Sequence, residues 1–428
     1  MKINTLLLVA LAISFGMHAQ KKASKTVLPK PYETKSVTNY SNVIGWKDGQ
    51  TPKAPEGFTV TKYADGFDNP RWMYVLPNGD VLVAQSNSNY SIPKQVGAAI
   101  IGAGKSNDLS HSADVITLLR DNDKDGKLDL NQTFLTKEQG LNQPFGMLVI
   151  GNWFYVANTD ALLRFPYQDG QLKIDSKGEK LIDLPVGKHN QHWTRNLIAN
   201  ADNSKIYIAV GSGSNVAENG IAEESLKASI LEINPDGTGL RVYASGLRNP
   251  VGIDWAPGTK TLWTAVNERD ELGNDLVPDY LTSVKEGGFY GWPYSYWGKN
   301  VDPRVKDKQP ALVAKSIVPE VDLGSHTASL GLVFYTAKKF PEKYRNGAFI
   351  AQHGSWNRDP ISGYKVVFVP FSNGKPAGKP EDFLTGFVVD PKKNEVRGRP
   401  VGLAQLPDGS LLLTDDKTNT IWKITYIK

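Results

Sequence analysis

Short apolar runs along this chain open on polar residues that are costly to bury. Arg71, Gln143, His192, Arg195, Arg248, Asn249, His326, Arg397 and Arg399 all stand at such openings. Arginine and histidine at these places must be paired or used. For one arginine, a neighbouring carboxylate is explanation enough. For the whole set, an anionic ligand with several carboxylates is the better account, because guanidinium grips carboxylate as a two-pronged fork. Histidine adds a base whose pKa lies near operating pH. His192 is the candidate, and His189 is its rival; a pair at that spacing also suits a metal, but no third ligand is near in sequence. A separate run places Asp121, Asp123 and Asp125 at positions 1, 3 and 5, Gly126 at 6 and Asp129 at 9. That is the spacing of a calcium loop. Position 12 is Gln132 and no helices flank the run, so it predicts a structural calcium site and not an EF-hand; the plainer alternative is a solvated acidic turn.

These residues need elements that bring them together. No long segment has a 3.6-residue apolar period. What recurs is a turn, a short apolar run, a Gly, Asn or Asp turn, and a second apolar run. Copies start near Asn69, Asn142, His192, Arg248, Ser329 and Arg399. Units that cannot bury both faces alone stack radially, so an all-β, six-bladed β-propeller is expected, with its polar strand starts at the channel mouth. The alternative is a two-sheet sandwich. The alternating run Thr420–Tyr426 is expected to complete a blade begun near the N-terminus.

The net charge of +5 is spread along the chain with no basic block, which argues against nucleic acid. There is no cysteine, hence no disulfide framework, thiolate metal site or haem attachment. Residues 1–19 read as a secretory signal: Lys2, then an apolar run from Leu6 to Phe15, then Ala19. The run is too short to span a bilayer, so a periplasmic or secreted protein with no stable membrane span is expected. Residues 20–53 read as a polar tail or linker, and residues 54–428 as the propeller domain.

Five segments, in order, resemble the sorbosone dehydrogenase family, relatives of soluble quinoprotein glucose dehydrogenases. They are His192-Trp193-Thr194-Arg195-Asn196, Gly246-Leu247-Arg248-Asn249-Pro250, Asn267-Glu268-Arg269-Asp270-Glu271-Leu272-Gly273, Tyr290-Gly291-Trp292-Pro293 and Arg397-Gly398-Arg399-Pro400. The resemblance runs from about Pro55 to the C-terminus. It implies pyrroloquinoline quinone over the channel mouth, with His192 as general base and hydride passing to the quinone. Arg248 and Asn249 would contact the quinone, Arg248 stabilising developing charge. Arg397 and Arg399 are expected on one strand face, clamping its carboxylates. Gln143 and Arg195 join the cofactor set, as does Asn357 or Arg358, where relatives carry a lysine. Calcium would bind backbone carbonyls around Arg269 and Asp270. One departure is plain: the relatives orient their base with an Asp, and this chain has Ser212, which cannot stabilise imidazolium as a carboxylate does.

The function so implied is oxidation of a sugar or polyol, with electrons leaving to a separate acceptor. Two other classes compete. A calcium-dependent propeller lactonase would hold its metal by Glu, Asn and Asp side chains and leave the arginines without purpose. A non-catalytic sugar- or protein-binding propeller would explain Trp292, Trp297 and Trp356 but not the histidine and arginines.

Overall fold

A computed structural model describes residues 26–89, 92–100, 102–106 and 109–427. The signal read over residues 1–19 lies outside them. The fold is all-β. Its main units are six antiparallel sheets of four strands or more. The first holds Pro70–Val75, Val81–Gln85, Val115–Arg120 and Leu130–Leu135. The second holds Met147–Ile150, Trp153–Ala157, Ala161–Pro166 and Glu179–Asp183. The third runs Arg195–Ala199, Ile206–Val210, Ser229–Ile233, Arg241–Ser245, and the fourth Pro250–Trp255, Leu262–Val266, Pro278–Val284, Val321–Ser325. The fifth is built on Ser329–Phe334, Gly347–Gln352, Lys365–Ser372 and Glu381–Leu384. The sixth joins Pro400–Gln405, Leu411–Asp415 and Thr420–Tyr426 to Phe58–Asp65 from the other end of the chain.

Within a sheet, burial is deepest in the inner strands. Val81–Gln85, Ile206–Val210, Leu262–Val266, Gly347–Gln352 and Leu411–Asp415 are buried at every residue. That is why they read as unbroken apolar runs: both faces are covered by neighbouring sheets. The outer strand Glu179–Asp183 has no buried residue. No sheet closes on itself. The first strands instead lie side by side in sheet order, and the sixth returns to the first.

Glycine permits that approach. A Cβ on Gly252 would lie 2.5 Å from the Leu330 carbonyl and the Leu332 nitrogen. One on Gly146 would meet Leu197 N at 2.5 Å and Arg195 O at 2.8 Å, and one on Gly402 would meet Arg71 O at 2.9 Å. Gly331 would clash in the same way with Val401 O. Gly252, Gly331 and Gly402 lie in first strands and Gly146 directly precedes one, each against the next sheet's first strand.

The segment read as a polar tail or linker over residues 20–53 is, where it is described, tied to the sheets. Tyr32 N donates to Leu272 O at 2.7 Å and Asn39 N to Trp356 O at 2.6 Å. Tyr40 stacks on Trp356, Asn42–Val43 pairs in parallel with Glu395–Val396, and Trp46 Nε1 donates to Asp415 at 3.0 Å. Its polar composition serves backbone and side-chain hydrogen bonds, so it straps the fourth, fifth and sixth sheets without an apolar period. Among the described residues no helix is long and apolar enough to cross a membrane.

Gly252→Ala adds one methyl where rigid backbone already stands. It should cost about 1–3 kcal/mol, read as a lowered urea midpoint at unchanged slope. Gly97→Ala, on the helix Ile92–Ile100 with nothing within 4 Å, should not lower it.

Candidate active site

Strands alternate in direction, so the starts of first strands and the ends of second strands share one end of the ring. His192 comes just before a first strand, and Ser212 just after a second one. His192 Nδ1 lies 2.9 Å from Ser212 Oγ and 3.0 Å from Ser212 O. Ser212 Oγ itself donates to Ser214 O at 2.6 Å. A carbonyl only accepts, so Nδ1 carries the proton and Nε2 is left as a lone pair with no protein hydrogen bond. Burial, reinforced by the Arg248 cation, lowers the imidazole pKa to about 3, so the ring is neutral at pH 7. His189, the rival, is exposed.

Arg195 is fully buried and makes no ion pair among the described residues. It donates to the carbonyls of His192 (2.8 Å), Thr194 (3.0 Å) and Pro185 (2.8 Å) and to Asn190 Oδ1 (2.8 Å). Burial pulls its pKa down to about 9. The structure therefore puts this guanidinium behind the His192 loop, holding it. Gln143, with Nε2 on Asn87 O (2.7 Å) and its backbone N–H on Asp114 (2.7 Å), ties loops of the first and second sheets.

Arg248 has protein acceptors for all five N–H groups. They are Asn215 O (3.2 Å), Asn215 Oδ1 (2.9 Å), Asn267 O (3.4 Å), Glu268 O (2.7 Å) and Asp270 Oδ2 (3.0 Å). Its effect on the mouth is thus a field, not a free donor. Burial opposes ionisation of Asp270, but Arg248 and His326 together outweigh it and hold the carboxyl at about 2. Asn357 Nδ2 donates to Asp270 Oδ1 at 2.8 Å and faces His326 Nδ1 at 3.1 Å. His326 Nε2 donates to Gly273 O at 2.9 Å. Asn249 stands beside this group, buried, with Oδ1 unpaired.

The residues proposed to hold the cofactor's calcium are differently engaged. Arg269 is a core residue, paired with Glu268 (2.9 Å) and Asp302 (3.1 Å) and bonded to the Pro293 and Ser295 carbonyls. The Asp270 carbonyl accepts from Arg304 at 2.6 Å and from Asn215 at 3.3 Å. The carbonyls of Asn267, Glu268, Leu272 and Gly273 also accept protein donors. A cation on Asp270 O would sit against a guanidinium, so these carbonyls do not fit calcium in this arrangement. Arg304 lies in an insertion and carries no motif that marks it in the sequence.

Arg358 spans Ser325 O and Asp275 Oδ1, both at 2.9 Å. Arg397 and Arg399 do not lie on a strand and do not share a face. Arg397 turns to Gln50 (3.0 Å) and lies over Trp46 in the strap. Arg399 turns inward to the carbonyls of His353 (3.2 Å), Gly354 (2.9 Å) and Ser106 (3.0 Å). The cause is Asp415, whose carboxylate occupies the space a Cβ on Gly398 would need and accepts Arg399 N at 2.8 Å.

A group not singled out from sequence is His353 with Asp416. His353 Nε2 lies 3.0 and 3.1 Å from the two Asp416 oxygens, and Arg71 closes an ion pair on the same carboxylate. Arg71 also stacks over Trp193, next to His192, at 5.7 Å. Asp416 follows the second strand of its sheet, as Ser212 does, and that shared position was the available signal.

The acidic loop falls between the third and fourth strands of the first sheet, at the end of the ring opposite the mouth. Asp121, Asp123 and Asp129 each bring a carboxylate oxygen within 4.8 Å of the others. Asp125 is outside that group; it accepts Lys127 N at 2.7 Å.

Asp270→Asn leaves Arg248 buried without its counter-charge and should cost about 3–5 kcal/mol in denaturant unfolding at pH 7. The folded-state pKa is depressed, so the Asp270 contribution is full above about pH 4 and fades as pH falls toward 2. Wild type and variant should therefore converge in stability with acid.

Residues 155–355 match the glucose/sorbosone dehydrogenase family, and residues 297–427 a TrAA12-like family. An uncharacterized protein of Borreliella burgdorferi is 29% identical over 309 residues, 70% of this chain and 79% of that protein. Aldose sugar dehydrogenase YliI of Escherichia coli is 26% identical over 258 residues, 60% of this chain and 59% of that protein. The holo pyranose dehydrogenase PQQ domain of Coprinopsis cinerea superposes with TM-score 0.67 at 20% identity, covering 90% of this chain and 100% of that one, a likeness of fold. In sequence pattern, therefore, residues 155–355 resemble the glucose/sorbosone dehydrogenases.

Proposed function

We propose that the chain is a six-bladed β-propeller quinoprotein that oxidises a carbinol of an aldose- or sorbosone-type sugar. The observation that carries this reading is the locked tautomer of His192. A neutral imidazole with Nδ1–H tied to Ser212 offers Nε2 as the base for a substrate hydroxyl. Two features support an anionic, polar occupant at the mouth. Arg71 Nε and Asn249 Oδ1 are buried there without a protein hydrogen bond. Beyond the Arg71–Asp416 and Arg248–Asp270 pairs, that end also holds the Arg399 guanidinium on backbone carbonyls; Arg71 Nε would meet a carboxylate and Asn249 Oδ1 an N–H, and a group such as pyrroloquinoline quinone offers both. When bound, that group supplies the two-electron acceptor.

The chain's own part is orientation and proton transfer. Arg195 fixes the His192 backbone, Ser212 fixes the ring, and burial with Arg248 keeps it neutral until a proton arrives. Ser212 offers no charge to the imidazolium. The carboxylate that favours it is Asp270, whose field acts against that of Arg248. Calcium has its better seat at Asp121, Asp123 and Asp129, far from the chemistry, where it would brace a loop. An exported location and a separate electron acceptor belong to the same reading.

The test is titration of the purified protein with pyrroloquinoline quinone, followed by dye reduction on a panel of aldoses and sorbosone. Stoichiometric binding is expected, with turnover falling about 10²–10⁴-fold in His192→Ala. No binding of the quinone would sink the reading in favour of a binding propeller. For the metal, calcium should raise Tm in the wild type and not in Asp121→Asn, with quinone affinity equal in both.

A further inference from the structure

His192 accounts for one proton, and the reaction frees two. Oxidising a carbinol to a carbonyl releases two electrons and two protons. One proton leaves the hydroxyl to His192. The other travels with the electron pair as hydride and is freed only when the electrons pass singly to an outside acceptor. Nothing at His192 handles that second proton.

The geometry points to His353 as its acceptor, oriented by Asp416 and Arg71; this rests on the dehydrogenase reading. His353 follows the second strand of the fifth sheet and so stands at the same end of the ring as His192. A carboxylate only accepts, so His353 Nε2 carries the proton toward Asp416, and Nδ1 is the free lone pair. The side chain keeps 12% of its surface exposed, so it is not sealed in the core. Asp416 is itself fixed by Arg71, whose guanidinium stacks on Trp193 beside His192. The chain His353–Asp416–Arg71 thereby reaches Trp193, the neighbour of His192 in sequence, and the two imidazoles have opposite ring nitrogens free. They differ in one respect that matters: His353 has the carboxylate that His192 lacks. On taking a proton at Nδ1 it becomes an imidazolium ion-paired to Asp416, and it then returns that proton to solvent.

The charged groups facing His353 are Asp416, Arg399 and Arg71. Burial and Arg399 lower its pKa to about 4, against the pull of Asp416. Anionic ligand at the mouth would offset the arginines and raise it.

Stopped-flow kinetics of quinone-loaded protein separates the two half-reactions: reduction by sugar, and reoxidation by a one-electron dye. In His353→Gln, reoxidation should slow about a hundredfold more than reduction, and in His192→Gln the order should reverse. Asp416→Asn should move the pH midpoint of reoxidation downward. The wild-type reoxidation should show a solvent deuterium isotope effect, a readout independent of whether any variant folds. Equal slowing of both steps in His353→Gln, or no isotope effect, overturns the proposal while leaving the dehydrogenase intact. Quinone affinity, followed by tryptophan quenching in the absence of sugar, should be unchanged in His353→Gln; its loss with an unaltered ratio of half-reactions would make His353 a binding residue only. If wild-type protein binds quinone but no sugar reduces it, the dehydrogenase reading falls, and this one with it.

Discussion

The molecule depends on backbone meeting backbone at its axis. Gly146, Gly252, Gly331 and Gly402 each let one first strand lie directly on the next, with no side chain between them. Contact that close fixes the angle and height of each sheet against its neighbour. His192, Ser212, Arg248, His353 and Asp416 inherit their positions from that packing, since each sits within three residues of a first-strand start or a second-strand end. The continuous apolar second strands then fill the wedges between sheets, and they tolerate this because both their faces are covered.

On that frame the arginines do different physical work although they look alike in sequence. Arg269 is neutralised locally by two carboxylates and belongs to the core. Arg195 is held by carbonyl dipoles and one amide, so its charge is solvated by the backbone of the loop it organises. Arg248 shares Asp270 with Asn357, and that arrangement couples the third, fourth and fifth sheets around one buried ion pair. A neutral His192 is a consequence of this: it lies in a field where a second positive charge is opposed until something anionic enters.

Much of this was legible in the sequence, and the limits have physical causes. Paired short runs with Gly, Asn or Asp turns announced strands, because period and turn chemistry are local. The position of His192 was legible for the same reason. The destinations of long side chains were not. Arg397 and Arg399 alternate like strand residues, yet Gly398 packs on Asp415 and breaks the strand there, so the two diverge. Asp270 looked available until Arg304, from an insertion, was seen to cap its carbonyl. The segment before residue 54 looked like a linker because it lacks an apolar period, and its hold on the ring is made of hydrogen bonds that leave no periodic trace. Asp416 was invisible as a partner of His353 because the two lie 63 positions apart and meet only once the fifth and sixth sheets are side by side.

The sixth sheet takes its outer strand, Phe58–Asp65, from one end of the chain and its other three strands from the far end, with Phe58 opposite Tyr426. During synthesis that strand is made well before its partner and must wait, unpaired, while the five sheets between them are made. A nascent chain can complete those sheets one by one, but it cannot close the circle until Thr420–Tyr426 has emerged. Until then it carries an open strand edge at each end, the kind of surface that holdase chaperones cover and that neighbouring chains exploit.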